Sequence, residues 1–213
     1  EIETSDAYQF FMDVGPLKNV DKTIFKKKSQ FWSEIMEHPN YDGFWKKRNI
    51  LPHLKNIKAA VMVVGGWYDR EDLFGPLKTY ENIEKQNPGI FNMLVMGPWP
   101  HGGWVGNEGN ALGDTDFGFP TVKYYQNNVD LLFFKHFLKD ESSEFNLPEA
   151  MVFETGANRW RRFDQWPPKT AERTKFYFQK NEGLSVEKPA EESNICDSYI
   201  SDPNKPVPHT RDC

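Results

Sequence analysis

Cysteine is nearly absent from these 213 residues: only Cys196 and Cys213 occur. Two cysteines do not make a disulfide framework, so the fold must rest on a hydrophobic core. One bridge or two free thiols are equally open, and neither reading fixes a compartment. No apolar run approaches the ~18 residues that a membrane helix needs, so no membrane partner is expected. An excess of basic charge is also lacking. Lys and Arg number 26 against 31 Asp and Glu, for a net charge of -5. Nucleic-acid binders usually carry a basic patch, so no nucleic-acid partner is expected either. The one basic run, Lys26-Lys27-Lys28, reads as a solvated helix face. No pair among the histidines has metal-ligand spacing, and no metal or organic cofactor is implied. No leader is visible, and residues 197–213 read as a strand running into Pro-rich loop. The expectation is a piece cut at both ends. Localisation is open, with a periplasmic or secreted place only if a leader had been removed.

Aromatics are what the chain has in plenty. Seven Trp, eight Tyr and seventeen Phe offset a hydrophobic content of 38%, because each can bury a large area. Residues 5–38 show helix-like spacing, broken at Gly15-Pro16 and ended by His38-Pro39-Asn40. A short third helix is expected over Tyr41 to Trp45. Residues 57–64 are an apolar, β-branched run of the kind that suits a strand buried on both faces, stopped by Gly65-Gly66. An amphipathic helix over 72–85 follows, then a second apolar run, Phe91 to Met96, stopped by Gly97-Pro98. A Gly-rich loop covers 102–119 and a long helix spans 121–139. Strand, helix, strand, helix predicts an α/β fold with a parallel sheet. After Leu147-Pro148 the segments Ala150 to Glu154 and Lys175 to Gln179 read as antiparallel strands. A domain boundary is therefore expected near residue 145.

Two loops could carry chemistry. Gly65-Gly66-Trp67-Tyr68-Asp69-Arg70-Glu71-Asp72 follows the first strand, and Gly97-Pro98-Trp99-Pro100-His101-Gly102 follows the second. In open α/β sheets ligands bind outside the carboxyl ends of the strands. One loop offers a carboxylate and the other an imidazole, in the order acid then base that hydrolases of this fold use. A serine hydroxyl is a poor nucleophile until a neutral imidazole takes its proton. A buried carboxylate fixes the tautomer of that imidazole. Asp69 and His101 fit these roles, although an Asp after a strand is often only a helix cap. His136 reads as a core or edge residue, and His38, His53 and His209 read as loop. No serine stands in G-x-S-x-G, the nucleophile elbow. Neither cysteine supplies one. The nucleophile is expected upstream of Glu1, and the chain alone is expected to be inactive.

The segments His38-Pro39-Asn40-Tyr41-Asp42-Gly43-Phe44-Trp45, Gly66-Trp67-Tyr68-Asp69, Gly97-Pro98-Trp99-Pro100-His101-Gly102 and Tyr199-Ile200-Ser201-Asp202-Pro203 resemble one family. It is that of cocaine esterase, X-Pro dipeptidyl peptidase, glutaryl-7-ACA acylase and α-amino acid ester hydrolase. The similarity runs from about residue 30 to 210. The resemblance implies a helical cap in 1–50, the C-terminal half of an α/β-hydrolase sheet in 51–145, and the start of a jelly-roll β domain in 146–213. It carries Asp69 over as triad acid and His101 as triad base of a serine hydrolase. In α-amino acid ester hydrolases a carboxylate cluster beside the triad holds the substrate's α-ammonium, and Glu71 and Asp72 fall at two of its positions. Against this, both could simply favour the N-terminus of the next helix, and Arg70 could neutralise part of the cluster. Trp67, Tyr68, Trp99 and Trp104 either wall a pocket for the acyl group or belong to the core. Residues 158–168 read as packing between domains. The substrate implied is a small ester or amide, or a short peptide, with self-association left open. The rivals are an X-Pro dipeptidyl peptidase, a general esterase, or a non-catalytic binding domain.

Overall fold

The computed structural model describes residues 4, 6–139, 145–180, 182–189 and 198–205. Cys196, Cys213 and His209 lie outside the described residues. The chain divides into two compact units, residues 1–48 with 173–213, and residues 49–172.

The first unit opens with α1 (Ala7–Val14), capped by Asp6, whose carboxylate accepts the Gln9 N–H at 2.9 Å. Gly15 ends it at φ +67°. The expected second helix is shorter than its periodicity suggests. A 3₁₀ turn (Leu17–Asn19) and a π turn (Asp21–Phe25) precede it. Lys26 and Lys27 then sit at φ 50° and 61°. The lysine run is therefore a left-handed turn and not a helix face. Helix α2 (Gln30–Glu37) starts afresh behind the Ser29 cap. Helix α3 (Gly43–Lys46) is capped by Asp42, which accepts the Phe44 N–H at 2.8 Å.

The second unit is a four-stranded sheet with helices on both faces. Strand β1 (Val61–Gly66) is followed by α4 (Phe74–Gln86) and β2 (Asn92–Gly97). A small hairpin of β3 (Ala111–Leu112) and β4 (Thr115–Asp116) lies in the Gly-rich loop. Helices α5 (Thr121–Tyr125) and α6 (Leu131–Lys139) are joined by a π turn. Strands β5 (Ala150–Glu154) and β6 (Arg159–Phe163) complete the sheet, whose order is β1-β2-β5-β6. β1 pairs parallel to β2, with Val63 opposite Leu94. Every residue of β2 is buried. Its alternate side chains serve opposite faces, as the strand period requires. Leu94 and Met96 pack with Tyr80 and Ile83 of α4, while Met93 and Val95 pack with Val122, Tyr125 and Val129.

Two expectations are corrected here. Gly65 and Gly66 do not stop β1 but are its last two residues. β5 does not begin a separate antiparallel domain near residue 145. It runs parallel to β2, with Leu94 opposite Ala150. Its residues Ala150 to Phe153 are buried without alternation, as a strand covered on both faces must be. Only β6 alternates, as the antiparallel edge. The compact unit accordingly extends to residue 172. Beyond it, the described residues hold one antiparallel pair, β7 (Tyr177–Phe178) with β8 (Leu184–Ser185).

The end of α4 shows how the sheet is tied to its helix. The buried Asn87 side chain accepts the Ile57 N–H and donates to the carbonyls of Leu54 and Ile83, all within 2.8–3.0 Å. Asn87→Ala leaves these groups without their partner. A loss of about 2–3 kcal/mol is expected, readable as a lower denaturation midpoint at unchanged slope.

Candidate active site

β1 and β2 are adjacent and parallel, so their loops leave the sheet side by side. Backbone bonds lock them together: the Trp67 N–H donates to Gly97 O (2.8 Å) and the Tyr68 N–H to Trp99 O (3.1 Å). Gly66 makes this approach possible. A Cβ on it would stand 2.1 Å from the Trp99 carbonyl oxygen.

The junction brings Asp69 and His101 together. His101 Nδ1 lies 2.9 Å from Asp69 Oδ2. A carboxylate can only accept, so the ring donates from Nδ1 and leaves Nε2 as the basic nitrogen. The Asp69 side chain is 3% exposed, whereas that of His101 is 56% exposed. The capping reading and the triad reading of Asp69 turn out to be compatible. Its Oδ1 accepts the N–H groups of Glu71 (2.8 Å) and Asp72 (2.9 Å), while Oδ2 serves the imidazole. The backbone bonds from Asp72 and Glu71, with the histidine, hold the Asp69 carboxyl below its usual range. The hydrogen bond and charge of Asp69, aided by Glu71 and Asp72, push the His101 imidazolium above its ordinary value of 6.5.

The two shifts act at opposite ends of the pH scale. The fold favours protonated His101, so that contribution to stability is complete below about pH 6.5 and fades as pH rises through the higher folded value. It favours ionised Asp69, so that contribution is complete above about pH 3.9 and fades as pH falls through the lower folded value. The first shift is directly measurable. In an NMR titration, His101 should titrate above the ordinary histidine range, and Asp69→Asn should bring it back down. An unshifted wild-type midpoint would contradict the pairing.

The remaining candidates divide. Glu71 Oε2 stands 4.0 Å from His101 Nε2, and its side chain is 74% exposed. It borders the nitrogen that is not bonded to Asp69. Asp72 points elsewhere. Its Oδ1 accepts the Gly75 N–H at 2.6 Å, the start of α4, and a Cβ on Gly75 would collide with that carboxylate. Arg70 makes no ion pair among the described residues. Tyr68 is exposed beside Phe117, 6.4 Å between ring centroids, and can border a ligand. Trp99 cannot. It is 1% exposed and belongs to the core under α5. Trp67 is packed against the opposite core cluster, donates from Nε1 to Phe153 O (3.0 Å), and meets Trp166. Both indoles donate their N–H to partners inside the scaffold, as the core alternative for these tryptophans requires.

One pair was missed by the sequence reading. His38, taken as a loop residue, places Nδ1 2.6 Å from Asp42 Oδ2 and stacks on Phe44 at 4.4 Å. The i,i+4 spacing of His38 and Asp42 was the available signal. This pair belongs to the first unit, where Asp42 also caps α3. His136, expected in the core or at its edge, is half-buried and stacks on Phe145 at 3.8 Å.

Comparison with known proteins follows the same lines. A model of the X-Pro dipeptidyl-peptidase (S15) family matches residues 3–103. Cocaine esterase from Rhodococcus sp. (strain MB1 Bresler) is 25% identical over 188 residues, 82% of this chain and 31% of that protein. The crystal structure of an aminopeptidase from a marine sediment Thaumarchaeota archaeon superposes with a TM-score of 0.86 at 32% identity, covering 98% of this chain and 34% of that one. A solved α-amino acid ester hydrolase gives a TM-score of 0.86 at 29% identity, covering 97% of this chain and 35% of its own. The chain thus spans about a third of the length of these relatives. Family model, sequence relative and solved folds agree: residues 3–103 are similar to the S15 family, and the architecture matches that of α/β-hydrolase-like neighbours.

Proposed function

We propose that this chain carries the acid and base of a serine hydrolase that acts on esters or amides bearing a free α-amino group. The observation that carries the reading is the 2.9 Å contact between buried Asp69 and exposed His101 at the carboxyl ends of two parallel strands. The serine comes from outside these 213 residues, since none of the serines present stands in an elbow. His101 Nε2 takes the serine proton as the oxygen attacks the carbonyl. It then hands that proton to the leaving group, and the second half repeats these steps with water. Asp69 holds the ring and stabilises the imidazolium. The oxyanion donors come from the serine's own neighbourhood. The helical segment of 1–50 acts as a cap, and residues beyond 172 begin a β domain of jelly-roll type.

Glu71 is the residue proposed to receive the α-ammonium. Its position beside Nε2 of His101 supports this. Asp72 adds charge at longer range while it starts α4. An α-amino acid ester and its des-amino counterpart provide the test, in the protein complete with its serine. The amino ester should be favoured roughly 10- to 100-fold in kcat/KM, as a charged hydrogen bond allows. Glu71→Gln should remove most of that preference. Equal rates would leave a general esterase. The name of the matching family favours a second reading, cleavage of X-Pro peptides. Preferential turnover of an X-Pro amide over other dipeptide amides would select it.

A further inference from the structure

We infer that Thr121 is a positioning residue for His101, its buried hydroxyl tying the indole of Trp99 to the Gly-rich loop and thereby fixing the segment that ends in the histidine. The inference rests on the Asp69–His101 reading above and extends it by one layer.

His101 has an unusual demand. Its ring is more than half exposed, so packing does little to place it. Apart from the bond to Asp69, its position is set by the backbone around it, which includes the turn that the Gly103 N–H closes on Pro100 O (2.9 Å). That backbone runs through Trp99 and Pro100. Trp99 packs against the rings of Trp104, Tyr125 and Trp160 and makes two hydrogen bonds. Its carbonyl accepts the Tyr68 N–H (3.1 Å) and so follows the Asp69 loop. Its Nε1–H donates to Thr121 Oγ1 at 2.9 Å. The same hydroxyl donates onward to Gly109 O at 2.7 Å. Thr121 is fully buried, so no water competes for either bond. Gly109 lies so close that a Cβ on it would stand 2.6 Å from Thr121 Oγ1. One hydroxyl therefore joins the end of β2, the start of α5 and the strap of 102–119, which itself begins next to His101.

The tie can be cut without removing the backbone around it. The Thr121 N–H still reaches Gly109 O (3.3 Å), and the Val122 N–H still reaches Glu108 O (3.0 Å), whatever side chain stands at 121. Valine keeps the shape of threonine and loses both hydroxyl bonds. Serine keeps both bonds and loses only a methyl group.

The experiment is an NMR study of His101 in the 213-residue chain, well below its melting temperature. It follows the titration midpoint of the ring and the solvent exchange of its Nδ1 proton. In Thr121→Val the midpoint should fall toward the ordinary histidine range, and the Nδ1 proton should exchange roughly tenfold faster, as expected for one weakened hydrogen bond. Thr121→Ser should restore wild-type behaviour. A merely structural role would lower the melting temperature and leave both His101 readouts alone. The inference is overturned if folded Thr121→Val keeps wild-type values, or if Thr121→Ser behaves like Thr121→Val. If the valine variant fails to fold, Thr121→Cys takes its place, with intermediate values expected and wild-type values overturning the idea. Asp69→Asn is the control. Should it leave the His101 readouts unmoved, the acid–base pairing is what fails.

Discussion

Asp69→Asn is expected to lower kcat about 10⁴-fold in the complete protein, with KM little changed. The amide keeps the size of the carboxylate and even its capping of Glu71 and Asp72, since a side-chain oxygen can remain where Oδ1 is. At the Oδ2 position it now offers an N–H. The imidazole must answer with an unprotonated Nδ1, and its proton moves to Nε2, the nitrogen that has to accept from serine. The loss therefore comes from the wrong tautomer and not from a collapsed loop. His101→Ala should be comparably severe, and the double variant scarcely worse, because the two groups act as one unit. Steady-state kinetics on the three variants decide the matter. If Asp69→Asn retains most of the activity, Asp69 is a helix cap alone. If His101→Ala does so as well, any hydrolysis belongs to another site, and a binding role for this chain gains ground.

Much of this arrangement was legible in the sequence because its signals are local. Two apolar runs ending in glycine fix two buried strands. The residues just past them had to face a ligand-accessible edge, so Asp69 and His101 could be paired before any coordinate was known. Side chains near them were not legible to the same degree. Trp67, Tyr68 and Trp99 all sit in the same two loops, yet only Tyr68 is exposed. What separates them is the far partner of each indole, Phe153 O or Thr121 Oγ1, 86 and 22 residues away. Strand β5 was misjudged for a similar reason. Four apolar residues in a row satisfy either kind of strand, and its parallel partner is set by a crossover through α5 and α6 that no local pattern reveals. The His38–Asp42 pair was hidden by Pro39, which drew attention to a turn and away from the four-residue spacing.

Gly66→Ala is expected to be among the most damaging small substitutions in this chain. The added methyl would stand 2.1 Å from the Trp99 carbonyl oxygen and 2.8 Å from its carbon. Those are backbone atoms and cannot swing aside like the end of a flexible side chain. Either β1 must part from the His101 loop or the Trp99 peptide must turn, which breaks the bond from the Tyr68 N–H. The destabilisation should reach about 3 kcal/mol or more, beyond ordinary overpacking. Gly106→Ala is the matched control, since a Cβ there meets nothing within 4 Å and its φ is not in the left-handed region. Its effect should stay within about 0.5 kcal/mol. Chemical denaturation of both variants gives the comparison. A second readout makes it specific to the site. If Gly66→Ala folds at all, the separation of the two loops should lengthen the Asp69–His101 contact and return His101 to an ordinary titration. A stable Gly66→Ala chain in which His101 keeps its raised midpoint would mean that the close approach of the two loops is not what holds the pair together.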